Sequence, residues 1–358
     1  MTETVRTRVR ASGLTVFGAV VALVVFLFAV QLLGAATAAA ADPLERLFRR
    51  HVAGGAPALG ASWLATYALM NGSVVAALSV SLFDSAILSS EQLFLMLAGS
   101  RLGGAAIVLL IGAIDWAQKA EYDFAEATSL GTLTFLLSHS IYLPATGVGL
   151  LLLPHLEGTL GEAVGGVHLP VGGLSVLDPV TDAVVGAVGA VPAFVLAVTL
   201  LFVGLSAFDR VLKRVDTAWL RRNLFQRFRQ TWTSFALGLI ITAVTTSVAF
   251  SLGVIVPLYN RRYVTRDEIV PYVLGANIGT FGDTLLIAIL LGSARGTAVV
   301  SLMVALGTLV TVAALVRFPS YYREIDAIQS RIVADRRVLF AFLSSLVIGP
   351  LVLLVVPM

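Results

Sequence analysis

The sequence predicts an all-α polytopic membrane protein made of two inverted repeats, each with a re-entrant hairpin and a broken transmembrane helix. Three observations predict it: an apolar composition, apolar runs of bilayer length, and an internal self-similarity. Of the 358 residues, 58% are apolar and 13% charged, whereas a soluble domain has roughly 45–50% and about 25%. Removing the bilayer-length runs leaves only short basic or Gly-rich connectors, none long enough to bury a core of its own. The absence of cysteine excludes disulfides, thiolate metal sites and cysteine nucleophiles. The four histidines, His51, His139, His155 and His168, have no zinc-binding spacing. With no nucleophile–base pair visible either, the chain does not read as an enzyme, and no organic cofactor is expected.

A helix needs about 20 apolar residues to cross the ~30 Å hydrocarbon layer. Leu14–Ala41, Thr128–Leu153, Ala183–Phe208, Thr297–Val316 and Val338–Val356 satisfy this as plain spans. The first follows Arg6, Arg8 and Arg10, but its apolar stretch far exceeds the roughly 7–15 residues of a signal-peptide core, so it is read as a retained helix. Ala58–Ala113 and Thr233–Leu291 are also apolar, yet polar and Gly-rich breaks interrupt them. Each is expected to form a hairpin, Ala58–Phe83 and Thr233–Leu258, that dips in and returns, followed by one broken span, Glu91–Ala113 and Asp267–Leu291.

Orientation follows from the Lys and Arg residues. None occurs between Lys119 and Arg210, and the connector Pro154–Asp182 within that gap is Gly-rich with Glu157, Glu162, Asp178 and Asp182. The positive-inside rule places that connector outside. Every basic residue except Arg46, Arg49, Arg50, Arg295 and the intramembrane Arg101 then falls on the inner side, the N-terminus included. The expected location is the cell (plasma) membrane. The expected division is 1–153 as the first repeat, 154–182 as an external loop and 183–316 as the second repeat. Residues 317–358 then form a cytoplasmic amphipathic segment and an additional C-terminal span.

Sliding the sequence against itself by 176 residues superimposes Thr66 on Thr242, Val80 on Val256, Leu82 on Leu258, Gly99 on Gly275 and Gly103 on Gly279. Unlike features follow the same order in each half: an apolar span, a basic amphipathic stretch (Arg46–Arg50 against Arg222–Gln226), a small-residue hairpin, an acidic step (Glu91 against Asp267) and a Gly-rich break. The first half enters from inside and the second from outside, so the two are expected to relate by a pseudo-twofold axis in the membrane plane. This is the sequence pattern of secondary transporters.

Each hairpin carries a polar patch, Met70-Asn71-Gly72-Ser73 and Thr245-Thr246-Ser247. Irregular backbone inside a bilayer must face protein or a water-filled cavity, since unsatisfied amides and carbonyls are costly in lipid. Helix N-termini with hydroxyls can hold an anion, and carbonyl and hydroxyl oxygens can hold Na⁺. The alternative reading of the same Gly, Ser and Thr residues is close helix packing.

The string Gly275-Ala276-Asn277-Ile278-Gly279-Thr280 is the most distinctive in the chain. Here the sequence resembles the sodium/phosphate cotransporter family of the type II, PNaS-like group, whose repeats carry a TAxxQSSSAT-like hairpin followed by GANIGT. Thr242-Ala243 matches the start of the hairpin motif, and Leu88-Ser89-Ser90-Glu91-Gln92 is similar to the family's LLSxEQ connector. The resemblance covers about Phe26–Gly104 and Phe202–Leu291. The family's Gln-Ser-Ser-Ser core aligns with Met70-Asn71-Gly72-Ser73 and with Thr246-Ser247-Val248-Ala249, so both glutamines are absent and only Ser73 and Ser247 remain of the serines. The first GANIGT has become Gly99-Ser100-Arg101-Leu102-Gly103-Gly104. The resemblance implies sodium-coupled symport of phosphate or a similar oxyanion by alternating access, with Na⁺ as the coupling ion. It carries Ser73, Ser247, Asn277 and Thr280 over as ligands. The alternative is a non-coupled or non-transporting member acting as a channel, regulator or accessory membrane protein.

Arg101 stands out because a cation at a helix centre costs at least ~2.5–3.5 kcal/mol. Asp283 is the acidic residue at comparable depth, so Arg101 is expected either to bind the anion or to pair with Asp283 in place of a sodium ion. The plain alternative is an Arg101 that reaches an interface and an Asp283 at a helix end. The full candidate set for substrate and ion is Asn71, Ser73, Arg101, Thr246, Ser247, Asn277, Thr280 and Asp283, with Ser73, Ser247, Asn277 and Asp283 proposed for Na⁺. The basic run Arg210–Arg229, interleaved with Trp219, Phe225 and Phe228, reads as an amphipathic helix on an anionic leaflet and not as a nucleic-acid surface. His139 and Tyr142 either line a pathway or pack. The expected partners are a small anion and the lipid bilayer, with a homo-oligomer admitted.

Overall fold

The computed structural model describes residues 2–119, 124–165, 177–212, 230–246, 251 and 264–356, which are helical with no strand among them. In chain order the helices are α1 (Thr2–Ala39), α2 (Ala41–His51), α3 (Gly55–Leu69), α4 (Gly72–Asp84), α5 (Ser90–Lys119), α6 (Phe124–Gly165), α7 (Asp178–Val188), α8 (Ala190–Leu212), α9 (Thr231–Thr245), α10 (Arg266–Gly279), α11 (Phe281–Leu290), α12 (Ala294–Val316), α13 (Phe318–Ala334) and α14 (Arg336–Val355). Among the described residues, six stretches are long and apolar enough to cross a membrane: Thr15–Ala39, Gly131–Leu156, Ala190–Leu212, Arg266–Leu290, Ala294–Val316 and Arg336–Val355. The protein is therefore an all-α polytopic membrane protein.

Helices α3 and α4 are 15 and 13 residues long, about 22 and 20 Å at 1.5 Å per residue, and neither crosses a ~30 Å layer alone. Their path is fixed by contacts with α5. Gly55 lies against Glu91 and Leu95, Gly99 against Leu59 and Ser62, and Gly103 against Trp63 and Thr66, so α3 runs parallel to α5 from its start. Gly72 then meets the Ser100 carbonyl, and α4 returns to the beginning of α5 at Ser90. The pair is thus a hairpin whose tip, Met70–Asn71, lies beside the middle of α5. The turn is made by Met70 in the left-handed region (φ 50°) and by Asn71, whose side chain caps α4 by accepting from Ser73 N (2.9 Å) and Val74 N (3.2 Å).

The described part of the second half repeats the first arm, its end residue and the following helix at the same 176-residue spacing. Helix α9 starts at Thr231 against Gly55 and ends at Thr245 against Leu69, and α10 starts at Arg266 against Ser90. Thr246, the counterpart of Met70, also has φ 50°. Gly275 meets Phe235 and Leu239, and Gly279 meets Leu239 and Thr242, which are the counterparts of Leu59, Trp63 and Thr66 around Gly99 and Gly103. Between Thr246 and Val264 only Ser251 is described. Ser251 Oγ accepts from Thr242 Oγ1 (2.7 Å) and lies 2.8 Å from the Tyr272 hydroxyl.

Helices α1 and α8 pack against each other along their length. Gly18 of α1 faces Val211 of α8 while Gly204 faces Phe26, so these two helices, equivalent in the repeat register, pack antiparallel. Phe26, Ala29, Val30, Leu33, Ala197, Leu201 and Leu205 fill the seam. Helix α14 packs antiparallel on α3, with Gly60 against Pro350 and the Tyr67 hydroxyl donating to the Leu346 carbonyl (3.0 Å). Helix α13 lies across the end of the bundle, tied to α6 by Gln329 Nε2 donating to the Ser129 carbonyl (2.7 Å) and to α10 by an Arg266–Asp326 ion pair (3.3 Å).

Three expectations are corrected. Helix α5 is one continuous helix of 30 residues, so the broken span belongs to the second half alone. The halves differ locally: the Asn277 carbonyl takes the Thr280 and Tyr142 hydroxyls (2.6 and 2.7 Å), whereas the counterpart of Thr280 in α5 is Gly104, which has no hydroxyl. Those two hydroxyls satisfy an acceptor in place of the helical amide and let α10 end at Gly279. The span expected over Ala183–Phe208 is interrupted at Gly189 (φ +87°) and begins at Ala190. Helix α6 continues through Pro154 to Gly165 and α7 begins at Asp178, so the Pro154–Asp182 connector is helical at both described ends.

Candidate functional site

The hairpin tip of α4, the middle of α5 and the α10–α11 break converge on one buried polar cluster. Arg101 is 8% exposed, and its guanidinium donates from Nη1 to the Thr280 carbonyl (3.4 Å) and from Nη2 to Thr284 Oγ1 (3.0 Å). Its Cζ sits 4.4 Å from the centroid of the Phe281 ring, a cation–π contact that strengthens when desolvated. Thr284 in turn donates to Asp283 Oδ1 (3.0 Å). Asp283 and Thr284 are fully buried. The Ser73 side chain, on the first turn of α4, neighbours the Asp283 carboxylate.

Arg101 and Asp283 are therefore linked through the Thr284 hydroxyl, with no direct ion pair between them. Each keeps one buried atom without a partner, Nε of Arg101 and Oδ2 of Asp283. Burying a charged group without compensation costs several kcal/mol, and a guanidinium that donates to a carbonyl and a hydroxyl and rests on a ring face is the form in which it is tolerated here. The side chain lies in this cluster and does not reach out to an interface.

Asn277 stands at the next turn of the same break. Its Nδ2 donates to Ser138 Oγ of α6 (2.9 Å). Thr280 Oγ1 is engaged with the Asn277 carbonyl (2.6 Å). Asn71 does not face the cluster as a free ligand, because its Oδ1 already holds two amides of α4. Those amides are the ones an anion would need. Thr246 ends α9 at the second break, and Ser247 lies outside the described residues.

The structure thus brings Ser73, Arg101, Thr280 and Asp283 together, with Asn277 one turn away. It adds Thr284 and Ser138, which carry the hydrogen bonds and were not singled out in the sequence. The signal for Thr284 was its place beside Asp283 and one helical turn beyond Thr280. His139 packs: its ring stacks on Phe135 at 3.5 Å between centroids, lies 5.3 Å from Trp63, and its Nδ1 contacts the Phe135 carbonyl (2.9 Å). Among the described residues no cluster of three His, Cys, Asp or Glu side chains could hold a metal ion.

Comparison with family models places this geometry in context. Residues 200–327 match the model described as Na⁺/Pi-cotransporter. The match takes in α9 to α12 and therefore Thr246, Asn277, Thr280, Asp283 and Thr284, while Asn71, Ser73 and Arg101 lie before it. Comparisons with curated proteins and with solved structures found no match to the chain. The chain is a polytopic helical membrane protein related, through residues 200–327, to the Na⁺/Pi-cotransporter family.

Proposed function

We propose that the chain is a secondary transporter that carries phosphate or a similar oxyanion together with Na⁺ by alternating access. The observation that carries this reading is the recurrence, in the described residues, of a short helix, a left-handed residue at its end and a longer helix packed parallel to it. The helix ends and the two left-handed residues, Met70 and Thr246, recur at one spacing, in halves whose first helices pack antiparallel. Two oppositely oriented copies of one unit allow the same contacts to be exchanged between halves, giving two facing states of similar energy. The family match over residues 200–327 supports Na⁺ and phosphate as the ligands. Ser73, Asn277 and Thr280, with Thr246 and Ser247 from the second half, are the residues assigned to them, beside the Arg101–Thr284–Asp283 cluster. The protein sits in the cell membrane with its N-terminus cytoplasmic, in keeping with Arg6, Arg8 and Arg10 before α1.

A second reading, a family member without coupled transport, is favoured by one observation. The α4 amides are already capped by Asn71, so an anion must displace that cap or bind elsewhere. Uptake of labelled phosphate into proteoliposomes separates the two. Accumulation driven by an inward Na⁺ gradient supports the symporter. Uptake indifferent to Na⁺ removes the coupling, and no uptake of phosphate, arsenate or sulfate favours the second reading.

A further inference from the structure

The hydrogen bonds of Arg101 go to oxygens, beside the Phe281 ring face. Its guanidinium meets the Thr280 carbonyl and the Thr284 hydroxyl, and through Thr284 the Asp283 carboxylate. A carbonyl, a hydroxyl and a carboxylate gathered within five residues of a helix break form the donor set of a hard cation. Two further features mark this as a cation position. Asp283 Oδ2 is buried with no partner, and the Ser73 side chain lies beside it. In the 176-residue register the counterpart of Arg101 is Asn277, a neutral side chain whose amide is spent on Ser138. The charge is therefore present in one half only.

We propose that Arg101 is a tethered cation: its guanidinium occupies an oxygen-lined site made by Thr280, Asp283 and Thr284 that would otherwise take a small monovalent cation such as Na⁺. The chain then couples one free cation fewer than its fold can accommodate. The inference rests on the ion-coupled reading above for its meaning in transport, but its geometry stands independently of uptake.

Cation binding to the purified full-length protein in detergent tests it. The melting temperature is followed against Na⁺ concentration, with N-methyl-D-glucamine chloride holding ionic strength constant, because each ion bound only to the folded state steepens the dependence on the logarithm of its concentration. Arg101→Ala and Arg101→Gln are expected to take up one more Na⁺ than the wild type. Arg101→Lys is expected to match the wild type, and Arg101→Ala combined with Asp283→Asn to return to it. The glutamine variant keeps a hydrogen-bonding head, so the comparison does not depend on the alanine variant folding. A variant that folds only when Na⁺ is present also supports the proposal. Equal slopes in the wild type and both neutral variants overturn it, as does an extra Na⁺ that survives Asp283→Asn. Absence of uptake by the wild type would overturn the transport reading while leaving this binding result as it stands.

Discussion

Replacing Thr284 with valine removes one hydroxyl and leaves the shape of the side chain intact. Thr284 is fully buried, accepts from Arg101 at 3.0 Å and donates to Asp283 at 3.0 Å. An interhelical hydrogen bond inside a membrane averages about 0.6 kcal/mol, and an ionised partner roughly doubles it. The interhelical bond to Arg101 and, counted alike, the bond to Asp283 within α11 give about 2.4 kcal/mol together, to which the desolvation of newly unpaired charged atoms adds about 1–3 kcal/mol. The valine methyl returns about 0.8 kcal/mol. The net expectation for Thr284→Val is a loss of about 2.5–4.5 kcal/mol. Thr284→Ser keeps the hydroxyl and loses one methyl, about 1 kcal/mol. Unfolding of both variants in detergent, followed by size-exclusion chromatography after heating, reads the difference. At about 2 °C per kcal/mol for a chain of this length, the valine variant should melt about 5–9 °C below the wild type and the serine variant about 2 °C below. If valine costs no more than serine, the hydroxyl does not connect Arg101 to Asp283 and the cluster has been misassigned.

Further outcomes follow from the same geometry. Asn71→Ala should lose about 1 kcal/mol of thermal stability through its helix cap, and Asn71→Asp or Asn71→Ser should retain most of it. Met70→Gly and Thr246→Gly should each be neutral or stabilising by up to about 1 kcal/mol, because both residues hold φ 50°; a marked loss in either, by the same melting assay, would contradict that backbone. A methyl at Gly279 would meet the Leu239 carbonyl at 2.5 Å, whereas one at Gly104 meets nothing within 4 Å. Gly279→Ala should therefore cost about 1–3 kcal/mol, and Gly104→Ala should gain about 0.5–1 kcal/mol. Tyr142→Phe alone should cost under about 1.5 kcal/mol, since Thr280 still holds the Asn277 carbonyl; combined with Thr280→Val it should cost more than the two singles added, measured in a double-mutant cycle.

Apolar length was the legible part of the fold. Thr297–Val316 and Val338–Val356 differ from α12 and α14 by at most three residues at any end, because hydropathy alone decides such spans. Glycine was ambiguous. The same residue type marks a true break at Gly189, a close helix contact at Gly99 and Gly103, and nothing in particular at Gly104, and only the neighbouring backbone tells these apart. That is why α5 was expected to break and does not. The polar cluster was half legible. Arg101 and Asp283 were visible as intramembrane charges, but their connection runs through Thr284, and a hydroxyl among many in an apolar run carries no distinguishing signal. Asn71 was visible as a polar residue at a hairpin tip, yet whether such a residue caps its own helix or faces a ligand depends on a rotamer.

The antiparallel seam between α1 and α8 bears on how the chain is assembled. Phe26 rests on Gly204, and Leu33, Ala29, Leu201 and Ala197 are almost wholly covered by this pairing. Helix α4 reaches the same side of α1 early, through Val74, Ala77 and the Ser81–Thr37 hydrogen bond, but the α8 part of the seam closes only once Gly204 has been synthesised, 178 residues after Phe26. Two fragments divided near residue 170 would each be incomplete, and co-expression of the pair should rebuild a complex that neither yields by itself.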